Sequence, residues 1–288
     1  MSHPSPIGVI GGSGLYELDQ LENLKEVQVK TPFGDPSDAL MKGTLADRDV
    51  VFLPRHGRGH RLLPTEINHR ANIWALRSLG VRFIVCVTAV GSLRREYEPG
   101  HIVVPDQLVD RTCQRPASTF FGNGIVAHLS AADPYSHQLR EIIIQHATAA
   151  GLEVHPKGTY INMDGPAFST RAESEMHRQL GFDIIGMTNA PEAKLALEAG
   201  IALATMAMVT DYDCWRTEEE AVTTKSVLQH LLDNADNAKN ILGRLLPHIP
   251  KTPNWPEHTA LAHSIATPRE LWPESTIKKL QPILHELV

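Results

Sequence analysis

Apolar positions along this chain follow two alternating rhythms. Short runs that are apolar at nearly every position, each closed by glycine, proline or polar residues, mark buried strands. They are expected at Pro6–Gly11, Asp49–Leu53, Phe83–Val87, His101–Pro105, Thr159–Met163, Asp183–Met187 and Ile201–Val209. Between them, apolar residues recur at three- and four-residue spacing. That spacing predicts helices over Thr65–Leu79 (Thr65 as cap, Gly80 as stop), over 134–150, from Thr170 to Gly181, over Pro191–Ala199 and over Thr224–Leu246. Thr170 and Glu173 stand at capping-box separation. Beyond Pro247 the pattern turns proline-rich and irregular, with a last helix expected near Ser275–Leu287. Strands alternating with helices predict an α/β fold with a central sheet covered on both faces. No repeat or linker interrupts the pattern, so residues 1–288 are expected to form a single domain.

Composition narrows the function classes. The chain has 288 residues, 42% of them apolar, and its 27 basic and 33 acidic residues give a net charge of −6. There is no basic run, which argues against nucleic acid as a partner. No apolar stretch approaches the ~20 residues of a membrane span, so no membrane partner is expected. The start, Met1 to Pro6, lacks the basic and apolar regions of a signal peptide. Cys86, Cys113 and Cys214 are far apart and odd in number, which is neither a disulfide framework nor a zinc set. A reducing, cytoplasmic setting follows. The fifteen histidines are scattered, and metal binding is set aside.

Candidate chemistry gathers where strands end, because open α/β sheets bind ligands outside the carboxyl ends of their strands. Gly11-Gly12-Ser13-Gly14 offers backbone N–H groups and a hydroxyl to an anion, although by itself it is equally an empty tight turn. A dinucleotide fingerprint would need a glycine at Glu17 and an acid near Val29–Pro32, and neither is there. Arg55-His56 pairs a planar guanidinium with an imidazole, a combination suited to phosphate or to a plain surface loop. Thr88 and Thr188 add hydroxyls at two further strand ends. Taken together these residues suit inorganic phosphate used as a reactant. Asp211 and Asp213 flank Tyr212, and on an extended chain alternate residues face one way, so both carboxylates are expected to face one pocket. The alternative is that one caps the next segment and the other is solvated.

In the order Gly11–Leu15, Thr31–Gly34 with Pro36-Ser37, Arg55–Gly57, Pro64–Leu76, Gly165–Ser174, Gly186–Thr188, Pro191-Glu192 and Thr210–Trp215, the chain resembles the 5′-methylthioadenosine phosphorylases of the trimeric purine nucleoside phosphorylase superfamily. The resemblance covers about residues 6–246 and fades over 247–288. It implies the nucleoside phosphorylase fold with a mixed central sheet. It also implies a reaction in which phosphate cleaves 5′-methylthioadenosine to adenine and 5-methylthioribose 1-phosphate. Inorganic phosphate is then a co-substrate, with no metal or organic cofactor. Ser13, Arg55, His56, Thr88, the Ala89 backbone and Thr188 look like the phosphate site, with Met187 against the ribose. Phe168 looks like the wall under the purine, and Asp211 and Asp213 like its binding pair, with Asp211 and His56 closest to the chemistry. Val227 and Leu228 resemble the lining of the methylthio pocket. His128 matches a residue supplied across the subunit interface, and the implied assembly is a homotrimer or a multiple of it.

The chemistry explains the residue types. Breaking an N-glycosidic bond builds positive charge on the sugar and negative charge on the departing purine. An aspartate accepts from the 6-amino group of adenine but would oppose a 6-oxo purine, at a cost of roughly 1–3 kcal/mol for an unpaired buried polar group. The 6-oxopurine relatives resemble one another in carrying Asn at the aspartate position and Glu near Ser169, and this chain has neither. A phosphorylase for methylthioinosine or inosine is the alternative within the enzyme class. Outside it stand a non-catalytic purine-binding protein and a nicotinamide dehydrogenase. Ala167 and Gly186 depart from common family residues. Thr224 puts a hydroxyl where some relatives are apolar, which would admit some adenosine.

Overall fold

The computed structural model describes residues 4–12, 21–115, 118–216 and 236–287. Its frame is set by four parallel strands, β1 (Ile7–Gly11), β4 (Arg48–Pro54), β5 (Phe83–Ser92) and β11 (Ala202–Asp211), in the spatial order β4, β1, β5, β11. Two antiparallel strands, β3 (Leu40–Leu45) and β2 (Glu22–Val27), extend one edge. The other edge carries β6 (Ile102–Val103), antiparallel to β11, and then β8 (Val154–His155).

β5 is the hinge of the topology. Its first residues pair with β1, while Gly91 and Ser92 pair antiparallel with β10 (Ile184–Gly186). β10 then leads to β9 (Thr159–Asn162) and β7 (Gln107–Asp110). The sheet is therefore mixed and forks at the carboxyl end of β5.

Side chains alternate along the strands and fill two layers. Ile7, Val9, Phe83 and Val85 pack with Leu139 and Ile143 of α2 (His137–Ala149) and with Ile241, Leu242 and Leu245 of α5, described over 236–245. Ile10, Ile84, Cys86 and Leu203 pack on the opposite face. Their partners are α1 (His69–Ser78), α4 (Asn189–Glu198) and the terminal helices α6 (Glu274–Lys279) and α7 (Gln281–Leu284). Between these, α3 (Arg171–Gln179) starts with the expected capping box, Thr170 Oγ1 accepting from Glu173 N at 3.2 Å.

Several elements differ from the sequence reading, each for a local reason. Helix α1 begins at His69, because Asn68 caps it by accepting from Ala71 N at 3.1 Å, while Pro64–Glu66 forms a separate turn. β5 does not stop at Val87 but runs on through Thr88–Ser92, since β11 lies alongside it as far as Asp211, with a register shift after Val209. β2 reads Glu-Asn-Leu-Lys-Glu-Val and is exposed, an edge strand with no apolar pattern to betray it. The expected last helix is broken into α6 and α7. The first part of the Thr224–Leu246 helix lies outside the described residues.

Residues after Pro247 pack tightly on the sheet. Arg48 of β4 donates to Leu246 O at 2.9 Å and also to Ile249 O. Glu286 pairs with Arg77 and Arg82, both buried. Among the described residues no helix is long and apolar enough to cross a membrane.

Candidate active site

Of the candidates among the described residues, Arg55 and His56 follow β4, Thr88 and Ala89 lie in the outer part of β5, Met187 and Thr188 follow β10, and Asp211 and Asp213 stand at the end of β11. An open hollow lined by Arg77, Arg82, Lys251 and Glu286 lies at the opposite, amino ends and holds none of them.

Arg55 follows β4 and is tied to the end of β1 by its backbone N, which donates to Gly11 O at 3.0 Å. Its guanidinium is 1% exposed. It forks onto the Glu192 carboxylate, Nε to Oε1 at 2.5 Å and Nη2 to Oε2 at 2.9 Å, while Nη1 reaches Val87 O at 3.2 Å. A guanidinium carries five N–H donors, so three bonds leave two for a ligand. Burial pushes the Glu192 carboxyl up, but the Arg55 charge and its two hydrogen bonds, with His69 Nδ1 3.7 Å away, outweigh it and hold it at about 2. The pair is therefore ionised and geometrically fixed. His56 Nδ1 lies 2.9 Å from Leu62 O. A carbonyl only accepts, so the proton sits on Nδ1 and Nε2 carries the lone pair. Burial first, then the neighbouring Arg55 and His60, lower its pKa to about 4. The ring is neutral in ordinary conditions.

Thr88 and Thr188 meet from β5 and from the start of α4, their hydroxyls 3.5 Å apart. Thr188 is the residue from which α4 springs. The helix is held there by Asn162 of β9, whose Oδ1 accepts from Asn189 N at 2.7 Å and Ala190 N at 3.0 Å. The amino end of a helix favours an anion. Ala89 follows Thr88 in β5 and is partly exposed.

The two aspartates come together in a way strand alternation does not give. β11 ends at Asp211, and Asp213 has φ 53° in a turn. Asp211 Oδ1 accepts from Asp213 N at 2.8 Å, and its Oδ2 accepts from Thr210 Oγ1 at 2.7 Å. It is this turn that gathers the acids, above Gly91. A Cβ built on Gly91 would stand 3.0 Å from Asp211 Oδ1 and 3.4 Å from Asp213 Cα. Burial raises the Asp213 pKa, opposed by the nearby Ser174 and Ser169 hydroxyls. Its Oδ2 has no hydrogen-bond partner among the described residues. Cys214 donates to Ser169 O at 3.2 Å, so Ser169 and the acids form one cluster, while the α3 cap is Thr170.

Phe168 is 40% exposed on the loop after β9. Met187 lies under the same loop, its Sδ 2.5 Å from the Cβ position of Gly165. His128 is exposed on a loop held by its own backbone N to Ser264 O at 2.8 Å. No hydrogen bond or ion pair among the described residues joins it to the other candidates. Ser13, Thr224, Val227 and Leu228 lie outside the described residues.

Sequence reasoning gave no role to Glu192, Asn162 or Arg115. Glu192 had a signal, a carboxylate set among Ala190, Pro191 and Ala193 near the start of a helix. Arg115 had none. Its guanidinium donates to the carbonyls of Pro64, Met163, Asp164 and Met187, and so braces the loops that carry Met187 and Phe168.

Comparison with known proteins gives this geometry a family. The model of the Phosphorylase superfamily matches residues 6–247. The S-methyl-5′-thioadenosine phosphorylase of Geobacter sulfurreducens is 49% identical over 98% of this chain and 99% of its own length. The chain belongs to the S-methyl-5′-thioadenosine phosphorylases. A methylthioadenosine phosphorylase from an antarctic soil metagenomic library has the same fold, with a TM-score of 0.92 at 48% identity over 98% of this chain and 100% of that one. A variant of the adenosine/methylthioadenosine phosphorylase of Schistosoma mansoni, solved with methylthioadenosine, gives a TM-score of 0.84 at 35% identity, covering 93% of this chain and 100% of that one. Similarity to the methylthioadenosine phosphorylases thus runs past Pro247, where the sequence motifs alone had faded.

Proposed function

We infer that this chain catalyses the phosphate-dependent cleavage of 5′-methylthioadenosine to adenine and 5-methylthioribose 1-phosphate. One observation carries the reading: Thr88, with the Thr188 hydroxyl 3.5 Å away, and the Asp211–Asp213 turn stand on the adjacent parallel strands β5 and β11, and the turn lies over Gly91, a little further along β5 than Thr88. Anion donors and purine acceptors would then flank one gap, with Met187 against the sugar.

In that gap a phosphate oxygen bonds to C1′ of the ribose as the C1′–N9 bond breaks, and the electron pair leaves with the purine. The phosphate would be held by Arg55, the two threonines, Ser13 and the Ala89 backbone. His56 Nε2 would accept a hydrogen bond from the O–H that phosphate retains. The acids divide the base between them. Asp211 already accepts two hydrogen bonds, one on each oxygen. Asp213 has the unpartnered oxygen and the raised pKa, which suits it to protonate purine N7. That assignment moves the proton from Asp211, the residue favoured on resemblance, to its neighbour.

The same reading treats 1–288 as one phosphorylase domain, with 247–288 an extension packed on its core. It needs no metal or organic cofactor. Phe168, Val227, Leu228 and Thr224 would enclose the purine and the methylthio group, and His128 would reach a neighbour's sugar in a homotrimer or a multiple of it. Three free thiols suit a cytoplasmic setting. The deciding experiment is a coupled assay with 5′-methylthioadenosine and phosphate. Adenine release that depends on phosphate is expected, and its absence, or equal turnover of inosine, would overturn the reading. Light scattering in solution tests the assembly, where a monomer would remove the role given to His128.

A further inference from the structure

Tyr160 of β9 is fully buried and has no role in the reading above. Its ring leans from β9 across β10. A Cβ built on Gly186 would fall inside the Tyr160 hydroxyl, and within 2.6 Å of Cζ. Gly186 sits in a regular strand register opposite Asn162, so its missing side chain answers to the phenol and not to backbone strain. The hydroxyl thus occupies the space that a residue at 186 would otherwise fill, directly before Met187 and Thr188.

That hydroxyl has no hydrogen-bond partner among the described residues. Buried hydroxyls are rarely left so, because an unmade bond costs about 1–3 kcal/mol. What it faces is the phosphate corner. The Thr88 hydroxyl and the Thr188 backbone lie close enough to act on it, as does the Arg55 charge, although neither threonine meets it in hydrogen-bond geometry. Burial outweighs these and pushes the phenol up to about 12, so it remains a donor throughout ordinary conditions. Thr88 meanwhile donates to Ala89 O at 3.2 Å, next to it in the chain. For Thr88 to donate to an anion, that proton must turn outward.

We propose that Tyr160 is a positioning residue of the phosphate site: its O–H donates to Thr88 Oγ1, and the Thr88 proton turns from the Ala89 carbonyl toward the bound anion. The relay runs from phenol to threonine to phosphate, and Gly186 is the vacancy that lets the phenol reach it. The proposal rests on the phosphate site assigned above.

Tyr160→Phe removes the one oxygen and keeps the ring that packs with Val90, Ile184 and Val209. The KM for phosphate should rise about five- to tenfold, the scale of one lost hydrogen bond, with the KM for nucleoside and the melting temperature unchanged. Calorimetric titration with inorganic phosphate should show the same loss without turnover. In a Thr88→Val background the further effect of Tyr160→Phe should shrink below about twofold, because the two act through one bond. An unchanged phosphate KM and affinity, effects that multiply in the double variant, or an equal loss for nucleoside would overturn the proposal. If the wild type binds phosphate in a Tyr160-dependent way yet releases no adenine, the relay stands and the reaction assigned above fails. If it releases adenine and Tyr160→Phe is indifferent to phosphate, the relay alone fails.

Discussion

Asp213 holds a carboxyl in a turn with φ 53°, buried, with one oxygen unpartnered. Such a group costs stability, and the sign of its pH dependence follows. Its folded pKa is raised, so the folded state holds the proton more tightly than the unfolded chain. Its contribution is complete below the ordinary value of 3.8 and is lost as pH rises through the raised one. Asp213→Asn should therefore melt above the wild type at neutral pH, with the gap closing toward pH 4. Its turnover of methylthioadenosine should fall about a hundredfold or more, the size of a lost general acid. Asp211→Asn should instead move preference toward 6-oxo purines. Glu192 has the opposite sign. Its pKa is held at about 2, below the ordinary 4.5, so its contribution is present above 4.5 and lost as pH falls from there toward 2. Glu192→Gln leaves a buried Arg55 uncompensated, a loss of about 3–5 kcal/mol at neutral pH. Thermal melts from pH 7 to pH 3 should show the deficit narrowing below about 4.5. Both acids stood plainly in the sequence. What was not legible was how each is partnered, because the partners come from strands and helices far away along the chain.

Helix α4 shows what pattern reading reaches and where it stops. Its existence was readable from Pro191 and the apolar residues after it, and its end from Gly200. Its start was not, because the group that satisfies its first N–H donors is Asn162, contributed by β9. A cap borrowed across the sheet leaves no local signature. Asn162→Ala should cost about 1–2 kcal/mol, as lost caps do, read as a lower denaturation midpoint. Because the same helix start carries Thr188, phosphate KM should rise in parallel. The charged edge strand β2 was missed because it buries nothing. β5 was cut short for another reason. Its outer half turns polar at Thr88 while the ladder to β11 goes on. The apolar pattern records which side chains are apolar and not which strands pair, and the site lies where Thr88 and Ser92 are polar, buried and still in the sheet.

The chain after Pro247 binds distant parts of the sheet to one another. Arg77 comes from α1 and Arg82 from the loop before β5, and both point at Glu286 near the end of the chain. Glu286→Gln would leave two buried guanidinium groups side by side. The melting temperature should fall by a few degrees, less at 1 M salt where repulsion is screened, and limited proteolysis should release the terminal segment first. The α/β class and the mixed sheet were accessible from strand–helix alternation and motif. The fork at β5 was not, since it depends on two residues, Gly91 and Ser92, pairing out of sequence with β10.

Cys86 lies on β5 with its Sγ 3.4 Å from Glu192 Oε2, wholly buried, its thiol pushed well above its ordinary pKa by burial and then by the Glu192 charge. A small alkylating reagent cannot reach it until β5 parts from α4. The thiol is thus a stopwatch inside the molecule. Its labelling rate, read by peptide mass spectrometry, counts how often the anion corner opens, with no substrate turned over. Inorganic phosphate should slow that clock by favouring the closed form, and Glu192→Gln should speed it. A rate indifferent to phosphate would mean that the corner opens independently of the anion it holds.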